Sequence, residues 1–243
     1  MPSTTPRRSA DRPAGTAQPD WPAIARSLDG FGYAKTGPLL DGSACEDLMA
    51  SYDRDIFRSR VIMQRHGFGQ GEYKYFAAPL PDAVARLREG LYPPLAAIAN
   101  AWVPALGLPT LFPDRLADLQ ALCARHGQRK PTPLLLRYQA GDYNCLHQDL
   151  YGEVVFPLQL TIALSRPGRD YEGGEFVLVE QRPRLQSRAE VVRIEQGEAV
   201  IFATRQRPVQ GSRGTYRVNL RHGVSRVTRG LRFTLGIIFH DAA

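Results

Sequence analysis

Arg137-Tyr138-Gln139-Ala140-Gly141-Asp142-Tyr143-Asn144-Cys145-Leu146-His147-Gln148-Asp149 follows Pro133-Leu134-Leu135-Leu136, a run with the composition of a buried strand, and ends in His-x-Asp. On an extended backbone residues i and i+2 point to the same side. His147 and Asp149 can therefore offer an imidazole nitrogen and a carboxylate oxygen to one metal ion. A third ligand from a distant strand completes a 2-His-1-carboxylate facial triad, which leaves positions open on iron(II) for oxygen chemistry. A surface His-x-Asp shares the same three letters, so the surrounding segments decide between the two readings.

Downstream, the chain reads as short strands. Phe156 to Leu164 is apolar and β-rich, Gly174 to Val179 follows the Tyr171-Glu172-Gly173-Gly174 turn, and Val191 to Ile194 and Ala199 to Phe202 flank Glu195-Gln196-Gly197-Glu198. Tyr216 to Leu220 and Leu231 to Phe239 close the series. Strands with Gly-rich turns and no intervening helices predict a sandwich or jelly roll. The third ligand is best assigned to His222, 73 residues after Asp149, far enough for the strands to return the chain to the same site. His66, His126 and His240 compete. His126 lies beside an expected helix end, where the dipole suits a cation, and His240 reads as a cap on the last strand.

Ten residues after His222 stands Arg232, and the even spacing points both side chains to one face of a regular strand. A guanidinium buried in a β-barrel needs an anion. The dicarboxylate 2-oxoglutarate supplies one, with its keto-acid end on iron and its far carboxylate in the fork of Arg232. Tyr138 can donate its hydroxyl to the same carboxylate; a core tyrosine is the alternative reading.

Upstream of the decisive stretch the pattern is helical. Trp21 to Leu28 is amphipathic. Ser43-Ala44-Cys45-Glu46 has the form of a capping box. Pro81 to Leu91 and Pro94 to Leu106 read as two helices broken at Pro93-Pro94, and Phe112 to His126 as another, with Pro113 near its start and Gly127 past its end. Between them, Arg65 to Phe76 carries Gly67, Gly69 and Gly71 at alternate positions, where unusual backbone angles are expected, together with four aromatics, a His and a Lys. His66, Tyr73 and Tyr75 are the candidate stacking groups there; a structural loop with its aromatics on the core is the other reading. Gly-Lys-Ser/Thr is missing, so a phosphate-binding P-loop is excluded.

The composition allows one domain over 21–243, with helical support at 21–130 and a β core at 131–243, behind a disordered tail at 1–20 that has no apolar signal region. No apolar run approaches the roughly 18 residues of a membrane span, so no membrane partner is expected. Three cysteines without metal-ligand spacing suit a reducing cytoplasm. The net charge is +7, with 28 Arg against 3 Lys, and between Arg166 and Arg232 there are 14 Arg and 7 acids. Such a bias suits a nucleic-acid partner as well as it suits a solvated surface. Arg184, Arg205 and Arg207, in expected turns between core strands, are the candidates for holding a phosphate backbone.

Arg137-Tyr138-x-x-Gly141 followed by Leu146-His147-Gln148-Asp149 resembles the AlkB family of iron(II)/2-oxoglutarate nucleic-acid demethylases. Gly173-Gly174-Glu175-Phe176, Gly197-Glu198-Ala199-Val200-Ile201-Phe202 and the His222…Arg232 pair are similar to the wider dioxygenase superfamily, prolyl hydroxylases included. From about Arg65 to Asp241 the chain also resembles a bacterial AlkB-like oxygenase family labelled as acting on damaged nucleic acid. The resemblance implies a double-stranded β-helix (jelly roll) buttressed by helices. It also implies iron(II) on His147, Asp149 and His222, 2-oxoglutarate on Arg232 and Tyr138, and molecular oxygen as co-reactant. In AlkB the arginine pair lies further beyond the distal histidine, whereas Arg232 has the prolyl-hydroxylase spacing. Three functions follow as expectations: oxidative demethylation of a damaged base, hydroxylation of a protein or small molecule, and, weakest, a non-enzymatic cupin-like binding module.

Overall fold

The computed structural model describes residues 18–109, 111–212 and 214–243. The first half contains α1 (Trp21–Phe31), β1 (Tyr33–Pro38), α2 (Gly42–Ala50), β2 (Phe57–Ile62), β3 (Gly69–Gln70), β4 (Glu72–Phe76), α3 (Asp82–Leu106) and α4 (Leu116–Arg125). The second contains β5 (Leu134–Gln139), β6 (Tyr143–His147), β7 (Leu158–Ala163), β8 (Tyr171–Gly173), β9 (Phe176–Gln181) and β10 (Arg188–Val192). It ends with β11 (Glu198–Ala203), β12 (Gln206–Gly211), β13 (Gly214–Val224) and β14 (Val227–Ile238). The tail expected over 1–20 lies outside the described residues up to 17, and Asp20 is already the N-cap of α1, accepting from Ala23 N at 2.9 Å.

The larger sheet runs β1-β11-β7-β14-β5-β4-β2, with β8 on the start of β14; the smaller runs β10-β9-β13-β6-β3, with β12 on β13. The pairings within both are antiparallel, and the two sheets make the expected double-stranded β-helix. Four strands of the first half enter the sheets, so the expected boundary near residue 130 does not separate helices from strands. The alternation of β14 explains the layering. Phe233, Leu235 and Ile237 join the core that contains the helices, while Arg232, Thr234, Gly236 and Ile238 line a cavity between the sheets.

Two helix expectations change. α3 is continuous through Pro93 and Pro94, although each proline removes a hydrogen bond and costs about 3 kcal/mol. Its buried stripe continues across them as Leu91, Tyr92, Leu95, Ala96, Ala99, Trp102 and Leu106. At about 1.5–3 kcal/mol for each large apolar side chain, that burial outweighs the break. α2 is capped by Asp41, which accepts from Ala44 N at 2.8 Å, and Ser43 bonds to the same carboxylate. A carboxylate two residues upstream takes the role expected of the serine. α4 is also shorter than expected, starting at Leu116, three residues after Pro113. No helix among the described residues is long and apolar enough to cross a membrane.

Candidate active site

β6 and β13 pair so that His147 stands opposite His222. β13 buries alternate residues Val218, Leu220 and His222, and the distal histidine is the last of that inward row. Its ring packs against Phe176 and Phe202, with centroids at 5.8 and 4.6 Å, and the two phenylalanines touch each other at 4.8 Å. Asp149, two residues past the end of β6, completes the group: Nε2 of His222 is 3.3 Å from Oδ2, and Nε2 of His147 is 3.6 Å from Oδ1. One donor atom from each residue lies within 4.8 Å of the others. His66, His126 and His240 are outside this cluster; His126 caps α4 and faces Glu153 at 3.1 Å.

Neighbouring groups hold these donors in a ligating state. Nδ1 of His147 is 2.8 Å from the carbonyl of Cys145. That oxygen can only accept, so Nδ1 carries the proton and Nε2 keeps its lone pair. Burial and the neighbouring His147 lower the pKa of His222 against the pull of Asp149, so its imidazole is neutral at pH 7. Burial pushes the Asp149 carboxyl up, but the hydrogen bond of His222, the charges that His222 and His147 acquire in acid, where the carboxyl titrates, and the Tyr151 hydroxyl together hold it well below the usual carboxylate range. Two imidazoles and a carboxylate form the donor set of a divalent transition metal. Gln148, between the two ligands of the His-x-Asp, donates to the carbonyls of Leu220 at 2.7 Å and Arg205 at 3.2 Å, tying the turn to β13 and the β11–β12 connection.

Arg232 lies on β14 in the larger sheet, opposite Tyr138 on β5. It does not share a strand face with His222, as the even spacing suggests, because the chain crosses from one sheet to the other after Val224. Both side chains nevertheless line one cavity of about 280 Å³. Arg232 is 2% exposed, and its Nε and Nη1 have no hydrogen-bond partner. Its guanidinium carbon lies 5.4 Å from the Tyr138 ring centroid and 5.8 Å from that of Tyr171. Gly174, with φ of 63°, makes room for it, since a Cβ there would fall 2.8 Å from Arg232 Cδ. Tyr138 is fully buried and accepts from Asn144 Nδ2 at 3.3 Å. Burial, despite the opposing charge of Arg232, pushes its hydroxyl up to about 12, so the proton stays on.

The expected substrate residues divide. Gly67, Gly69 and Gly71 take positive φ as expected, but the segment they belong to adds β3 and β4 to the sheets. Tyr73 lines the cavity. Tyr75 is buried and bonds the hydroxyl of Tyr151 at 3.0 Å, which donates to Asp149 Oδ1 at 2.6 Å. That makes it a support of the carboxylate rather than a stacking surface. His66 is exposed and stacks on Phe68 at 5.3 Å, and of the two it is Phe68 that lines the cavity. Arg184 and Arg205 are exposed and outside the cavity lining. Arg207 departs from expectation altogether: it is 1% exposed on β12, paired with Glu180 and donating to the Asp29 carbonyl. Tyr151, Asn144, Phe68 and Gln159 carry no motif that would single them out, and only the local spacing Asp149-x-Tyr151 hints at the first.

Comparison with known proteins agrees with this geometry. Residues 71–242 match the Oxygenase-NA family, described as an oxygenase catalysing oxidative methylation of damaged DNA. Uncharacterised proteins of two Mycobacterium tuberculosis strains are 51% identical over 168 residues, covering 69% of this chain and 72% of each relative. Among solved structures, a Pseudomonas putida prolyl-4-hydroxylase superposes with a TM-score of 0.54 at 14% identity, over 92% of this chain and all of that one. A 2OG-Fe(II) oxygenase-family oxidoreductase of Burkholderia pseudomallei gives 0.52 at 16% identity, over 92% and 93% of the two chains. A Trichoplax adhaerens prolyl hydroxylase gives 0.52 at 12% identity, over 91% and 89%. At these identities the likeness is one of fold.

Proposed function

Because this chain belongs to the Oxygenase-NA family, we propose that it uses iron(II), 2-oxoglutarate and dioxygen to oxidise an N-methyl group on a damaged nucleic-acid base. The observation that carries the reading is one cavity lined both by His147, Asp149 and His222 and by the buried Arg232, whose Nε and Nη1 have no partner. A buried guanidinium with two free donors fits the far carboxylate of a dicarboxylate, and the donor set fits iron(II). When bound, iron(II) with 2-oxoglutarate and dioxygen supplies the oxidation of a C–H bond.

The chain's own groups do the rest. His147, Asp149 and His222 would hold the metal through one donor atom each. Arg232 and the protonated Tyr138 fix the diacid. Phe176, Phe202 and Val224 add apolar side chains to the lining of the same cavity. An oxygenase has no methyl donor, so we read the oxidative step as hydroxylation of the methyl carbon, after which formaldehyde leaves and the base is restored. Hydroxylation of a protein or small molecule is the second reading, favoured by the ten-residue spacing from His222 to Arg232.

Succinate and formaldehyde measured over methylated oligonucleotides and peptides separate the two. His147→Ala, Asp149→Ala and His222→Ala are each expected to lose bound iron and all succinate formation, since three ligands leave none spare. Wild-type iron content and turnover in the His222 variant would remove it from the site.

A further inference from the structure

Resting on the base-oxidising reading above, we propose that Gln159 is the residue that recognises the target base. Gln159 is 2% exposed on β7, its Nε2 has no hydrogen-bond partner, and it lines the same cavity as the three candidate ligands. A buried amide donor without a partner costs about 1–3 kcal/mol, and such a group facing a cavity is explained by an acceptor that arrives with a ligand.

The cosubstrate is not that ligand. Gln159 pairs with Ile238, six residues along β14 from Arg232, or about 20 Å at about 3.3 Å per residue. That spacing is between backbones, and both side chains reach into the cavity. A five-carbon diacid with one carboxylate on Arg232 and its keto-acid end at the ligand cluster nevertheless has both ends engaged before Gln159. The hydrogen bonds and packing place Gln159 beyond the ligand cluster instead. Asp149 is bonded to Tyr151, Tyr151 to Tyr75, and both tyrosines pack with Ile238, the partner of Gln159. The cavity thus has a cationic end at Arg232 and a neutral end at Gln159, where Leu134 and Ile238 supply apolar walls, while Tyr73 and Leu136 pack with both ends.

A neutral end with apolar walls and one amide excludes phosphate and suits a flat heterocycle. A glutamine amide reads adenine bidentately, donating to N7 and accepting from the N6 amine. That contact uses one edge of the purine and leaves the N1 edge free to face His147, Asp149 and His222. The subsite therefore takes an adenine-type base, flipped out of its stack, and Gln159 is a specificity residue that touches the substrate.

The test is calorimetric binding of 1-methyladenosine, 3-methylcytidine and a short proline-containing peptide to the protein loaded with Mn(II) and 2-oxoglutarate, compared in wild type, Gln159→Met and Gln159→Glu. The expected result is tighter binding of 1-methyladenosine than of 3-methylcytidine. Both variants should weaken the former at least tenfold, with 2-oxoglutarate affinity within twofold of wild type. Methionine keeps the volume, and the glutamate variant answers the question if the methionine variant does not fold. Equal nucleoside affinity in wild type and variants, no nucleoside binding by wild type, or a preference for the peptide would each overturn the assignment. Formaldehyde release from methylated oligonucleotides separates this from the parent reading. Release unaffected by Gln159→Met sinks the subsite alone, whereas Gln159-dependent nucleoside binding without any release sinks the demethylase reading alone.

Discussion

Two arginines of the β core are almost completely buried, and they live in opposite surroundings. Arg207, on β12, is gripped by the carboxylate of Glu180, which also takes Arg182 at 2.7 Å, and gives a further hydrogen bond to the Asp29 carbonyl. Arg232, on β14, has two aromatic faces around it and no acceptor for Nε or Nη1. Burying a charge without a partner costs several kcal/mol, and only Arg207 recovers that cost within the chain. The difference teaches where to look for ligands. A buried cation whose hydrogen bonds are complete holds the fold together; one left incomplete at a cavity is waiting for an anion.

The sharpest way to break this comparison is to remove each side chain in turn. Arg207→Ala should lower the stability of the protein by up to about 3–5 kcal/mol, because it removes the buried partner of Glu180 and leaves that carboxylate only the more exposed Arg182 and Arg188. Arg232→Ala should leave the stability of the cofactor-free protein unchanged or higher, since it removes an unpaired charge. Its loss should appear as a 2-oxoglutarate dissociation constant raised a few hundred-fold or more, which corresponds to about 3–5 kcal/mol. Denaturant melts and titration of the Mn(II)-loaded protein with 2-oxoglutarate report both numbers. If Arg232→Ala destabilises as Arg207→Ala does, or if Arg226→Ala rather than Arg232→Ala weakens cosubstrate binding, the contrast fails.

Why the chain alone did not separate these arginines follows from distance in sequence. His147 and Asp149 were legible because two positions on an extended backbone suffice to bring them together, and His222 because a strand-rich segment must return to them. Glu180 stands 27 residues from Arg207, and the ion pair exists only because β9 and β12 both pair with β13. Nothing in the spacing announces that register, so a buried structural cation read as a surface one. Tyr75 takes the structural rather than the stacking reading, and spacing could not choose between them because its partner Tyr151 comes 76 residues later. The two prolines of α3 predict a break because their penalty is local, whereas the buried stripe that offsets it is set by tertiary packing. The β-helix itself was readable, since strand length and turn chemistry are local properties.

His240 sharpens the comparison from another side. Its Nε2 is buried and unpartnered like the donors of Arg232, yet it lies outside the cavity lining. Its Nδ1 accepts from Phe156 N at 3.2 Å. A missing partner outside the cavity does not mark a ligand site, and by staying neutral His240 avoids the cost of a buried charge though its Nε2–H stays unpartnered. Burial lowers its pKa to about 4, despite the raising influence of Asp149. The unfolded chain takes up this proton near pH 6.5 and the folded one only near pH 4, so stability is complete above pH 6.5 and falls as the pH drops between those values. The loss amounts to about 3 kcal/mol at about 1.36 kcal/mol per unit. His240→Asn, which retains an acceptor near the Nδ1 position, should flatten that part of the stability–pH curve. An unchanged slope between pH 4 and 6.5 would show that His240 titrates normally.

The smallest effect concerns arginines that are not buried at all. Arg184 and Arg205 are exposed and have no ion pair among the described residues, whereas Arg115, also exposed, is bound to Asp118 at 2.8 Å. Arg205 is the better placed of the first two, because its carbonyl is held by Gln148, between two of the candidate ligands. Arg184 follows β9, whose end at Gln181 pairs with Asn219, three residues from His222. A free guanidinium near the cavity can displace a counterion from a phosphate, and a guanidinium already paired on a helix cannot do so without losing its partner. Each of Arg205→Gln and Arg184→Gln should therefore reduce the salt slope of oligonucleotide binding by about one, with iron content and 2-oxoglutarate affinity unaltered. Arg115→Gln should leave the slope where it was. Fluorescence anisotropy of a labelled oligonucleotide between low and moderate salt measures all three. If Arg115→Gln flattens the slope as much as Arg205→Gln, binding follows net charge alone. If none of them does, the basic strands of this protein carry their charge for solvent rather than for nucleic acid.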